Sequence, residues 1–276
     1  MSERPEASVK STLQAIDVHR NWSTGFRTAE NERFYRQAFD YLATVYGAPG
    51  GEPVLDAGCG SGTKSMHLLA RGYSVVGVDF SQAVLDVAGR AIAAQGLSDR
   101  ITLQVADLTD LEFGDGSFSR VLCWGVLMHI PAVDKAVAEL VRVTRPGGSI
   151  VVSERNSYAI ENVAMRLLKR LLRRQRGRVC NTPAGIESWE ETTSGTLMTR
   201  QANIAWLIRQ FAAHGATLVA HRSGQLSELY VSIPWRPLRL AIHAFNGFWF
   251  RWTPWAAPAC ANLLVFRRLA DQARRS

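Results

Sequence analysis

Val54-Leu55-Asp56-Ala57-Gly58-Cys59-Gly60-Ser61-Gly62-Thr63 is the stretch on which the reading of this chain turns. Two apolar residues lead into a carboxylate, glycines fall at alternate positions, and Lys64, Met66, Leu68 and Leu69 carry a helical pattern on to Gly72. A buried strand, a glycine turn and the start of a helix therefore follow one another. Glycine lets a backbone approach a ligand closely and adopt positive φ, where a Cβ would clash. The first turn of the helix offers unpaired N–H groups at the positive end of its dipole. About twenty residues on, Ser74-Val75-Val76-Gly77-Val78 reads as a second strand ending in Asp79. An acid at that tip is placed to accept hydrogen bonds from both hydroxyls of a ribose. The pattern predicts a nucleoside-containing cofactor at the carboxyl ends of parallel strands.

The spacing G-x-G-x-G differs from the dinucleotide fingerprint G-x-G-x-x-G, and Asp56 stands two residues before the first glycine. A carboxylate beside the loop repels a pyrophosphate and suits a ligand with an ammonium group. Further on come Asp79-Phe80-Ser81 with Leu85 and Ala88, Val105-Ala106-Asp107-Leu108, and Arg142-Val143-Thr144-Arg145-Pro146-Gly147-Gly148. In this order and spacing, Val54 to Glu154 resembles the class I S-adenosylmethionine-dependent methyltransferases. The resemblance implies a seven-stranded Rossmann-like α/β sheet with helices on both faces, and S-adenosylmethionine as cofactor. It implies Asp56, Gly58, Gly60 and Gly62 at the methionine end, Asp79 at the ribose, and Asp107 with Leu108 beside the adenine. Cys59, Phe80 and Trp124 complete the expected cofactor contacts. Family members also fold an N-terminal helix over the cofactor, which would turn Trp22 or Tyr35 toward the sulfonium.

With 276 residues, 47% of them hydrophobic, the chain can build one large core with additions. We divide it into residues 1–46 (a helical segment over the cofactor site, mobile up to residue 17), 47–155 (the cofactor-binding core), 156–198 (a basic amphipathic helix and lid) and 199–276 (the rest of the core, with an aromatic-rich insertion at 234–258). Cys59, Cys123, Cys180 and Cys260 show no C-x-x-C spacing, so reduced thiols are expected rather than a disulfide or metal framework. The start carries no apolar leader, and no uncharged run is long enough to span a bilayer, which suggests a cytoplasmic protein. A net charge of +8 raises the question of nucleic acid. The arginines gather in one helix, and no zinc-finger or RNP-type strand is present, so nucleic acid is not the expected partner.

Asn31 to Leu42 reads as a helix from Phe34, Tyr35, Ala38, Phe39 and Leu42. Ser81 is read as the N-cap of the helix to Gln95, and Thr199 as the cap of a helix from Arg200 to His214. Ala216–Arg222 and Ala261–Arg267 are the sixth and seventh strands. After the fourth strand comes Trp124-Gly125-Val126-Leu127-Met128-His129-Ile130-Pro131, where the transferred methyl is expected. His129, with an ordinary pKa near 6.5, is the candidate general base for a hydroxyl acceptor; a helix-start or packing role is its alternative.

Ala159 to Arg176 divides into an apolar stripe (Ile160, Val163, Leu167, Leu168, Leu171) and a basic one that includes Arg166, Lys169, Arg170, Arg173, Arg174 and Arg176. It reads as a cap helix with a solvated basic face, or as a contact for anionic lipid. Val179–Met198 lacks periodicity and reads as a lid loop. In Pro234–Pro258, Leu238, Ile242, Phe245, Phe248, Trp249 and Trp252 mark an apolar helix face, with Arg239, His243 and Asn246 as a narrow polar strip. Such a face is expected to be buried, paired in a homodimer or laid on a membrane. Transfer of a methyl group to a small, fairly apolar acceptor, at oxygen, is the first functional reading. A peripheral membrane enzyme acting through the 159–176 and 237–252 helices on a quinone-like or isoprenoid lipid is the alternative. A nicotinamide-dependent oxidoreductase and a non-catalytic cofactor-binding protein are the remaining ones.

Overall fold

The computed structural model describes residues 5–14, 28–172, 177–192, 195–231, 233–253 and 255–270. Trp22, Arg173, Arg174 and Arg176, singled out above, lie outside the described residues. Helices α1 (Pro5–Gln14) and α2 (Ala29–Tyr46) precede β1 (Val54–Ala57). Then α3 (Thr63–Leu69), β2 (Val75–Asp79), α4 (Gln82–Ala93), β3 (Ile101–Val105), β4 (Phe118–Trp124), α5 (Val133–Val143) and β5 (Thr144–Arg155) build the core. The first addition holds α6 (Ile160–Leu171), β6 (Arg178–Thr182), β7 (Gly185–Thr192) and β8 (Gly195–Ala202). Helix α7 (Ile204–Ala213) and β9 (Ala216–Ser223) return to the core, and α8 (Arg236–Trp252) forms the second addition before β10 (Ala261–Arg268).

The main sheet has seven strands in the order β3-β2-β1-β4-β5-β10-β9, and β10 runs antiparallel to both neighbours. All four residues of β1 are buried, as a parallel strand covered on both faces requires. Side-chain alternation sends Leu55, Ile150 and Val152 to one face and Val54, Val151 and Leu263 to the other. Because β2 and β4 flank β1, the connections that leave these strands diverge at their carboxyl ends. A crevice opens there, at the topological switch point.

Several expectations need correction. Residues 5–14 form a helix that packs on β8, with Val9 and Leu13 buried. The expected lid is a three-stranded antiparallel sheet, β6-β7-β8. Thr199 and Arg200 lie on β8, and α7 starts after Asn203, whose side chain accepts from the Trp206 N–H. Ser81 precedes α4 without making a side-chain cap. Arg120 donates to the carbonyls of Tyr46, Glu52 and Ala48 and so pins the 47–53 linker.

Both insertion helices leave apolar side chains outward, the sense expected for pairing or a membrane and not for burial. On α6, Asn162 is buried and Arg166 donates to Gln201 and to the Ser157 carbonyl, while Lys169 and Arg170 are exposed. Leu167 and Leu171 are left 62% and 80% exposed. On α8, Asn246 is buried and both donates to and accepts from the backbone of Ser227, while Phe248 and Trp252 are 55% and 66% exposed. Phe250 anchors this helix edge-on against Phe34.

Candidate active site

The crevice holds a cavity of about 520 Å³, walled by the connections that follow β1, β2, β3, β4 and β5. Gly58 has φ +80°, and a Cβ there would lie 2.5 Å from both γ-methyls of Val126, so only glycine fits. Gly60 lines the same cavity with nothing within 4 Å of where its Cβ would be, which leaves the backbone open to a ligand. Asp79, at the tip of β2, borders the cavity; its Oδ2 accepts from the Gly60 N–H at 3.0 Å and its Oδ1 from the Ser81 N–H at 3.1 Å. This one carboxylate therefore ties the glycine loop to the start of α4. Asp107 lines the cavity beyond β3 and accepts from the N–H and hydroxyl of Thr109.

Of the residues expected at the cofactor, Gly58, Cys59, Gly60, Asp79, Phe80, Asp107, Leu108 and Trp124 all border the cavity, as does His129. Asp56 and Gly62 stand behind its wall. Asp56 is buried, accepts from the Ser65 hydroxyl at 2.6 Å, and is pushed up to about 6 by burial. It braces the root of α3 and does not present its charge to the cavity. Gly62, at φ +77°, begins α3 where a Cβ would press on Ala88 and Ile92. Tyr35 does line the cavity, but the Lys64 ammonium stands 3.3 Å from its ring centroid, where a sulfonium was expected. Trp124 stacks on Phe39 behind this pair.

His129 ends a short 3-10 turn, Leu127–His129, and its Nδ1 lies 3.0 Å from the Met198 carbonyl of β8. Nδ1 therefore carries the ring proton in the neutral imidazole. What holds this turn was not read from the sequence. Arg200, 2% exposed, donates to the carbonyls of Leu127, Ile130 and Pro131 and pairs with Glu187 at 2.8 Å. The signal was present as alternation: Met198, Arg200 and Ala202 are the inward positions of one strand. Glu154 and the Arg155–Glu228 ion pair (2.8 Å) also escaped the sequence reading, and all three residues line the cavity. Val9 and Leu13 of α1 close its side.

Sheet order, crevice and glycine loop together define a class I, Rossmann-like S-adenosylmethionine-dependent methyltransferase domain. The family model described as a methyltransferase domain matches residues 54–148. A demethylmenaquinone methyltransferase of Clavibacter sepedonicus is 42% identical over 104 residues, 38% of this chain and 41% of that protein. A ubiquinone biosynthesis O-methyltransferase of Alkalilimnicola ehrlichii is 29% identical over 176 residues, covering 61% and 66%. The solved CcbJ methyltransferase from Streptomyces caelestis shares the fold, with a TM-score of 0.58, 18% identity, and coverage of 86% of this chain and 90% of that one. The chain spans about half the length of the first curated relatives it matches. S-adenosylmethionine is the cofactor of such a domain, and the cavity fits it: the loop is open at Gly60, and the carboxylates of Asp79, at the end of β2, and Asp107, beyond β3, border it as hydrogen-bond acceptors.

Proposed function

We propose that this protein methylates a hydroxyl-bearing, quinone-like or isoprenoid lipid at a membrane surface. Glycine-loop N–H groups together with Asp79 and Asp107 would hold S-adenosylmethionine, and Lys64, Tyr35 and Trp124 would wall its reactive end. When bound, S-adenosylmethionine supplies an electrophilic methyl group and leaves as a neutral thioether. His129, its tautomer fixed by the Met198 carbonyl, would face the acceptor.

The observation that carries the choice of acceptor is the outward apolar side of α6 and α8, with Leu171 80% and Trp252 66% exposed. Apolar rows of this kind on two insertion helices need a cover. Lys169 and Arg170 beside them supply charge complementarity to anionic headgroups. The two quinone-pathway relatives support the same reading, ahead of the small, fairly apolar acceptor that was the first reading of the sequence. No helix among the described residues is long and apolar enough to cross a membrane, so the contact would be peripheral.

Titration calorimetry tests the cofactor: S-adenosylhomocysteine should bind and NADH should not, and the reverse result would point to an oxidoreductase. Sedimentation with vesicles tests the membrane. Vesicles containing phosphatidylglycerol should pull the protein down, pure phosphatidylcholine should do so less, and Leu167→Asp with Leu171→Asp should abolish the effect. A protein that ignores both vesicles yet dimerises, and loses dimerisation in that variant, covers its α6 face with a second copy.

A further inference from the structure

We infer that Glu154 is the base that receives the acceptor's hydroxyl proton. The inference rests on the proposed methyl transfer and assigns a second protein group to it. Glu154 ends β5 at the cavity wall and is 2% exposed. One carboxyl oxygen, Oε1, accepts from the Leu127 N–H at 2.9 Å. The other, Oε2, is buried and has no hydrogen-bond partner among the described residues. A buried carboxyl oxygen without a partner is costly, and native structures rarely keep one without a use. On a cavity wall, that use is a proton donor brought in by the ligand.

The surroundings keep this carboxyl ready to exchange a proton. Burial pushes it up to about 8, against the N–H groups of Leu127, Val126 and Met128 and the field of Arg200, which all favour the charge. Arg200 faces it from β8 but is itself paired with Glu187 of β7. Cys123 of β4 stays a neutral thiol, its pKa raised by burial and by Glu154 itself. His129 borders the same wall, and the Arg155–Glu228 pair lies on the cavity from the side of the second addition. A base near 8 suits a phenolic hydroxyl, whose own pKa is near 10. In the step, the acceptor O–H bond breaks and the proton passes to a Glu154 carboxylate oxygen. The electron pair stays on the acceptor oxygen, which forms the new O–CH₃ bond as the methyl–sulfur pair returns to sulfur. Glu154 then releases its proton to water.

The test uses the protein saturated with S-adenosylhomocysteine and an octyl-substituted nitrophenol that is already ionised in water at pH 8. If phenolate oxygen and Glu154 share one proton, binding above about pH 8 must take up a proton. The affinity should then fall by about tenfold per pH unit there. Glu154→Gln keeps an oxygen for the Leu127 N–H and loses the titration, so its affinity should stay flat over that range. His129→Gln should keep the wild-type slope. An unchanged slope in Glu154→Gln, or a slope lost only in His129→Gln, overturns the inference. So does failure of the nitrophenol to bind a protein that does bind S-adenosylhomocysteine. Failure of S-adenosylhomocysteine itself would instead overturn the proposed function. Infrared spectra of the wild type give a check independent of the variants: binding at about pH 9 should raise a protonated-carboxyl band, and its absence overturns the assignment.

Discussion

Replacing Asp79 with alanine is expected to weaken S-adenosylhomocysteine binding by roughly 10- to 100-fold. Hydrogen bonds to a charged group contribute roughly 1.5–3 kcal/mol, and each 1.4 kcal/mol is about a factor of ten. Asp79 has two tasks in this site. Its carboxylate borders the cavity, where the proposed binding mode would set the ribose, and it holds the N–H groups of Gly60 and Ser81. Alanine removes both, so the loop that receives the methionine end loosens as the ribose acceptor disappears. Asparagine keeps one side-chain oxygen and should fall between wild type and alanine. Calorimetry decides: a change below about threefold for alanine would mean that Asp79 does not hold the cofactor.

Arg200→Leu is expected to cost about 3–5 kcal/mol of folding stability, the range for removing one member of a buried ion pair. It strands Glu187 and leaves the carbonyls of Leu127, Ile130 and Pro131 without their donor. Adding Glu187→Leu should recover part of the loss, since a buried pair replaced by apolar side chains no longer leaves a lone charge. Denaturant midpoints for the two variants measure this. Equal stability of Arg200→Leu and wild type would show that the pair does not support the turn carrying His129.

The region from Val54 to Glu154 was legible because a parallel sheet covered on both faces writes itself as apolar runs closed by glycine or an acid. The strand read from Ser74 to Val78 and its closing Asp79 is β2, and the helix read from Lys64 toward Gly72 is α3. Most residues expected at the cofactor border the cavity for the same reason, since they sit at the ends of those runs. The additions were not legible in this way. Residues 178–202 pair through the backbone, and only the short alternation of Met198, Arg200 and Ala202 on β8 marks an inward face there. Helices α6 and α8 carried clear stripes but bury single polar side chains, Asn162 and Asn246, and leave much of the apolar row outward. Amphipathicity tells two faces apart without saying which is inside. Glu154 and Arg200 act through partners 27 and 73 residues away at Leu127, and no local pattern signals such pairings.

The place of β10 between β5 and β9 has a consequence for biosynthesis. As the chain leaves the ribosome, β5 is made long before its second neighbour, and β9 emerges with no partner at all. Until residues 261–268 arrive, the nascent molecule exposes an open edge on β5, and the apolar Leu263, Leu264, Val265 and Phe266 that complete both faces of the core are missing. Such an edge invites pairing with other chains. Synthesis halted between residues 223 and 261 therefore leaves both β5 and β9 without the strand that joins them, although the glycine loop and its crevice have already been translated.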